Sequence, residues 1–179
     1  EYKVLQQFGG AMGHVFLVEK QGIGYPFVLK SYQDVKPELE ELFFTEVKNW
    51  TSFGVHQNIV KTLFAEKFDG KIFVAAEFVE GKENGENRLT NYIGKNLPLH
   101  LIIKWAVQFS YGMNHCLGKG MIAHSDIKPD NILIDKDLNL KITDFGLSKS
   151  YLNDEHSGGG TAMYFSPEQI YNSEKTNYF

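Results

Sequence analysis

The sequence predicts an α+β fold in two parts, a small strand-rich region around one helix and a second, mainly helical region. Three observations carry this. Over residues 1–80, short apolar runs alternate with glycine-bearing turns, and one segment alone has helical spacing. The tract Glu80–Arg88 is polar and glycine-bearing and reads as the boundary. Beyond it, Pro98–Gly118 sustains a helical apolar period.

The elements follow in order. Val4–Leu5 and Val15–Val18 are apolar strands flanking Gly9-Gly10-Ala11-Met12-Gly13, and Phe27–Lys30 is a third strand. A helix is expected over residues 37–53. Pro37 suits its first turn, and Glu38, Glu40 and Glu41 suit the positive end of its dipole. Its apolar positions are Leu39, Leu42, Phe43, Val47 and Trp50. Glu46 falls within that stripe. It either faces inward, with Lys30 as cationic partner, or lies at the stripe's edge and reaches water. Residues 59–64 and 72–79 read as a strand pair joined around Asp69-Gly70, a turn signal. In the second region, Pro98–Gly118 reads as a long helix, with Leu99, Ile102, Ile103, Ala106, Val107 and Met113 at helical spacing on one stripe. Ile132–Ile134 and Leu140–Ile142 flank a polar turn and suggest a hairpin, and the chain after Ser148 reads as loop.

Composition narrows the function. The 179 residues are 42% hydrophobic and 22% charged, which excludes a disordered chain. Eighteen Lys+Arg against 22 Asp+Glu leave a net charge of −4, and there is no basic run, so no nucleic-acid partner is expected. The one cysteine, Cys116, cannot form an internal disulfide, which fits a reducing compartment. No charged-then-apolar leader and no membrane-length apolar run are visible, so a cytoplasmic location without a membrane segment is expected.

The chemistry concentrates in three motifs. Gly9-Gly10-Ala11-Met12-Gly13 would expose backbone N–H groups to phosphate, although a flexible hairpin loop alone would look the same. His124-Ser125-Asp126-Ile127-Lys128-Pro129-Asp130-Asn131 gathers an acid, a cation and an amide in one turn. They are suited to accept a hydroxyl proton, neutralise a phosphoryl group and ligate a hard cation. Asp144-Phe145-Gly146 follows 18 positions after Asp126, and the intervening hairpin would return Asp144 beside Asn131. Gly160-Thr161-Ala162-Met163-Tyr164-Phe165-Ser166-Pro167-Glu168 completes the order.

With these motifs in this order the chain resembles the eukaryotic-like protein kinases, of the serine/threonine branch by its Asp126-Ile127-Lys128-Pro129 with Asn131. The glycine loop and the Trp105–Gly118 stretch are similar to bacterial members. The resemblance implies a bilobal protein-kinase-like fold, with a small β-rich N-lobe over 1–80 and a partial, mainly helical C-lobe over 81–179. It implies Mg-ATP as cofactor and a protein Ser/Thr hydroxyl as acceptor. It implies that Lys30, paired with Glu46, holds the α- and β-phosphates, that Asp126 deprotonates the hydroxyl, and that Lys128 neutralises the γ-phosphate. Asn131 and Asp144 would hold Mg²⁺. Gly9, Gly10 and Gly13 would cover the phosphates, and Val15, Val28 and Leu133 would sandwich the adenine. Glu77 and Val79 would read the adenine edge, with Ala76 as gatekeeper. Phe145, His124 and Trp50 would form an apolar column, and Thr161 would line the pocket for the residue after the acceptor.

Several positions depart from the family pattern. Phe8 aligns with the first glycine of the loop, unless a one-residue shift lets Gly9 serve. Val28 replaces an alanine, and Ser125 replaces the arginine before the catalytic aspartate, so activity independent of activation-segment phosphorylation is expected. The chain ends 11 residues after Glu168, where family members continue with further helices, which reads as a fragment of a longer protein. The alternative functions are a pseudokinase scaffold that binds without catalysis, and a kinase-fold enzyme acting on a small molecule.

Overall fold

The computed structural model describes residues 2–10, 13–22, 24–32, 38, 40–82, 85–121, 123–124, 126–145 and 162–167. Within these, the side chains of residues 9, 10, 13, 32, 42, 46 and 162 are not described. The chain divides into two units. One contains Glu1–Ser52 and Lys61–Phe78, the other Phe53–Val60 and Val79–Gly146.

The first unit is an antiparallel sheet. Its strands are β1 (Tyr2–Gly10), β2 (Gly13–Lys20), β3 (Phe27–Tyr32), β4 (Thr62–Phe68) and β5 (Lys71–Glu77), in the order β1-β2-β3-β5-β4. One face carries Val18, Phe27 and Ala75, packed with Phe16, Leu29, Leu63 and Phe64. Directly paired residues point the same way. The pairs Val15 with Lys30, Leu17 with Val28, Val28 with Ala76 and Lys30 with Val74 therefore place all six on the opposite face. Phe8 pairs with Val15 and joins them. The Asp69-Gly70 turn has positive φ at both residues (48° and 73°), the geometry that Asp-Gly accepts at low cost.

The helix α1 (Glu40–Ser52) buries Phe43, Val47 and Trp50. Pro37 and Leu39, at the start of the helix expected from the sequence, lie outside the described residues. Lys67 on β4 pairs with Glu40 at 2.6 Å and fastens the helix's first turn to the sheet. The expected strand 59–64 is corrected. β4 starts at Thr62, while Ile59 and Val60 belong to the other unit, where Ile59 bridges Ile142 and Val60 N–H donates to Ile142 C=O at 2.9 Å.

The second unit holds α2 (Leu99–Gly118) and a hairpin of β6 (Ile132–Ile134) and β7 (Leu140–Ile142). The apolar stripe read from the sequence is not the face that α2 buries among the described residues. α2 buries Leu101, Trp105, Gly112 and Cys116, whereas Leu99, Ile102, Ile103 and Val107 are 46–69% exposed. The reason is steric and polar. Gly112 lets the helix lie against Asn58, Ile59 and Ile142, and a Cβ there would meet each at 3.0–3.2 Å. Trp105 buries its ring against Tyr92, with centroids 5.1 Å apart, while its Nε1–H donates to Leu138 C=O at 3.0 Å. α2 is thus apolar on two sides. Among the described residues, no helix is long and apolar enough to cross a membrane.

Candidate active site

The turn after α2 assembles a buried polar cluster. Asp126, Lys128 and Asn131 are each less than a tenth exposed. Lys128 Nζ donates to Asp126 Oδ2 at 2.7 Å. Asn131 Nδ2 donates to the same oxygen at 2.8 Å and to Asp126 C=O at 2.8 Å. Pro129 opens the short 3₁₀ turn Pro129–Asn131, which brings the amide back to the carboxylate. Among the described residues, both side-chain bonds fall on Oδ2.

His124 supports this turn from beneath. Its Nε2–H donates to Thr143 C=O at 3.1 Å, and its Nδ1 accepts Asp126 N–H at 3.4 Å. Burial holds its pKa below the usual value against the raising effect of that Thr143 bond and of Asp144 and Asp126. A neutral ring with its proton on Nε2 satisfies both contacts. The ring stacks at a tilt on Phe145, with centroids 4.6 Å apart, and Phe53 meets Phe145 edge-on at 5.5 Å. Phe53 was not singled out in the sequence. It lies just past α1, and its pairing with Phe145 spans about half of the chain.

The hairpin returns as its polar turn suggests. Ile132 pairs with Ile142, and Thr143 N–H donates to Asn131 C=O at 3.0 Å, one residue before Asp144. Asp144 is half-buried with φ +62°, an uncommon backbone state for a non-glycine residue and one often found at functional positions. Asn131 Oδ1 and the Asp144 carboxylate are hard oxygen donors on backbones joined by that bond. This donor set fits Mg²⁺, which takes one or two protein oxygens and completes its shell with phosphates and water. Among the described residues no group of three or more His, Cys, Asp or Glu side chains forms a metal site.

The other expected site residues fall as follows. In the first unit, Val15, Val28, Lys30 and Ala76 share one sheet face. Gly9 and Gly10 end β1 and Gly13 begins β2, with Gly10 paired to Gly13. Glu77 closes β5. Its N–H donates to Lys61 C=O and its Oε1 accepts Lys61 N–H, both at 2.9 Å. In the second unit, Val79 is buried and its C=O accepts Asn87 Nδ2 at 3.1 Å, while Leu133 is half-buried on β6. Glu46 lies on α1, but its side chain is outside the described residues, as are Ser125, Gly146 and Thr161.

The strand-rich unit carries a lysine on one sheet face, and the other unit has a turn that buries Asp, Lys and Asn before a second aspartate. Residues 2–178 match the family described as the protein kinase domain, and the chain belongs to that family. A chain of Acanthamoeba polyphaga mimivirus assigned as a serine/threonine-protein kinase/receptor is 32% identical over 174 residues, covering 94% of this chain and 10% of that one. Ribosomal protein S6 kinase alpha-1 of Mus musculus is 27% identical over 180 residues, covering 95% of this chain and 24% of its own. The chain thus spans from a tenth to about a quarter of the length of these relatives. Among solved structures, a double mutant of the Mycobacterium tuberculosis PknI kinase domain superposes with a TM-score of 0.70 at 22% identity, over 82% of this chain and 61% of that one. A single mutant of the same domain gives 0.67 at 21% identity, over 82% and 60%. These likenesses establish the fold.

Proposed function

We propose that this chain is the catalytic part of a serine/threonine protein kinase that transfers the γ-phosphoryl group of Mg-ATP to a Ser or Thr hydroxyl. The observation that carries this reading is the buried Asp126 carboxylate, held on one oxygen by Lys128 and Asn131.

In this reading the acceptor hydroxyl gives its proton to Asp126 Oδ1. Its oxygen bonds to the γ-phosphorus as the bond from that phosphorus to the bridging β–γ oxygen breaks, and ADP leaves. Lys128 releases part of its hold on Asp126 to the phosphoryl oxygens, and because it is buried its charge is poorly screened. Asn131 Oδ1 and Asp144 would hold Mg²⁺, which when bound supplies positive charge to the phosphate oxygens. Lys30, with Glu46 as partner, holds the α- and β-phosphates under the β1–β2 hairpin of Gly9, Gly10 and Gly13. Val15, Val28, Ala76 and Leu133 take the adenine. Glu77 and Val79 present backbone groups to its edge, and Val79 uses its N–H because its C=O is engaged by Asn87. Thr161 lines the pocket for the residue after the acceptor. Protein substrates, no nucleic-acid partner and a cytoplasmic setting complete the reading.

The test is labelled ATP with Mg²⁺ and a mixed pool of proteins and metabolites. Label in phosphoserine and phosphothreonine is the expected result. Label in phosphotyrosine or in metabolites alone overturns it.

A further inference from the structure

Among the described residues, the two-stranded sheet of the second unit ends at β7, yet the outward backbone groups of that strand are all taken. Leu140 N–H donates to Gln108 Oε1 at 2.9 Å, and Leu140 C=O accepts Asn58 Nδ2 at 2.8 Å. Ile142 N–H donates to Asn58 C=O at 2.9 Å, and Ile142 C=O accepts Val60 N–H at 2.9 Å. Gln108 Nε2 also donates to Asn139 Oδ1 at 3.2 Å, and Trp105, one turn earlier on α2, holds Leu138 C=O. Side chains of one helix stripe thereby grip three successive residues, Leu138 to Leu140.

We propose that Gln108 is a positioning residue for the Asn131–Asp144 oxygen pair. The proposal rests on the reading of that pair as the Mg²⁺ holder. β7 leads within two residues to Asp144, and Thr143 ties it to Asn131. Leu140 is 2% exposed, so without Gln108 its N–H would be buried with no acceptor. The strand then shifts to find one. Any shift of β7 is carried along the continuous chain through Thr143 to Asp144, and displaces it from Asn131. Asn58 still holds Leu140 C=O and Ile142 N–H, and Val60 holds Ile142 C=O, so the strand moves rather than detaches. Gln108 touches neither nucleotide nor metal, and acts through Leu140.

The experiment is Mn²⁺ binding, read by electron paramagnetic resonance with a non-hydrolysable ATP analogue, on the intact protein. Gln108→Met keeps the bulk and removes both bonds. Gln108→Glu keeps the acceptor for Leu140 N–H. The expected result is Mn²⁺ affinity weakened about tenfold in Gln108→Met, the scale seen for groups that orient metal ligands, and within about threefold of wild type in Gln108→Glu. Wild-type affinity in Gln108→Met, or an equally large loss in Gln108→Glu, overturns the proposal. Should Gln108→Met lose its cooperative melt, the Gln108→Glu arm decides alone. Absence of Mn²⁺ binding in the wild type instead overturns the reading of Asn131 and Asp144, and the positioning role with it.

Discussion

Replacing Lys128 by methionine removes the cation from a buried pair. The two side chains are 8% and 9% exposed and their charged atoms are 2.7 Å apart, so solvent screens them little. Breaking such a pair typically costs about 3–5 kcal/mol, because one charge stays behind. One feature lowers the value here. Asn131 still donates to the Asp126 carboxylate at 2.8 Å. We expect about 3 kcal/mol for Lys128→Met. Asp126→Asn strands the ammonium instead, at a similar cost of about 3–5 kcal/mol. The double variant leaves no charge behind and recovers about 2–3 kcal/mol relative to the sum of the two. Urea unfolding of the four proteins at pH 7 measures this. Single losses below about 1 kcal/mol that simply add would show that water reaches the pair, and would refute the buried-cluster account of the catalytic turn.

Further outcomes follow from other parts of the molecule. His56 stacks on His115 at 4.6 Å and accepts Asn58 N–H. Burial first, then His115 and Lys141, hold its pKa below the usual value. His124 is lowered mainly by burial. The unfolded chain binds these protons more readily, so their contribution is full above about pH 6.5 and is lost as pH falls below it. His56→Asn, which keeps an acceptor but does not titrate, is expected to flatten the acid limb of the melting-temperature profile, and an unchanged limb contradicts this. On α2, Trp105→Ala is expected to cost about 3–5 kcal/mol and Ile103→Gln less than about 0.5 kcal/mol in urea unfolding. The reverse ranking would restore the stripe expected from sequence. Ala76→Met is expected to weaken bulky ATP-site inhibitors at least tenfold in a binding assay. Unchanged affinity would remove Ala76 from the nucleotide face.

The motifs were legible because their chemistry is local. Asp126, Lys128 and Asn131 lie within one turn, and the polar Asp135–Asp137 turn between two apolar triplets announced the hairpin that carries Asp144. Strand lengths were less legible. β1 extends through Lys3, Gln6 and Gln7, whose polar side chains face water while their backbones complete the ladder with β2. The residues that brace the site were hidden for another reason. Asn58, Gln108 and Gly112 act by hydrogen bonds or by small size across long sequence separations, and none stands out in an apolar period. The true inner stripe of α2, Leu101, Trp105, Gln108, Gly112 and Cys116, has helical spacing but includes a polar and a small residue, whereas the outer stripe is richer in branched aliphatics.

The central claim is that Asp126 is the base of a phosphotransfer to serine or threonine. It is tested most directly by comparing the wild-type protein with Asp126→Asn, both for transfer from labelled Mg-ATP to protein and for nucleotide binding. The account predicts transfer reduced at least about a hundredfold with nucleotide affinity within a few-fold of wild type. Transfer retained in Asp126→Asn, at the same Mg-ATP occupancy, would contradict it.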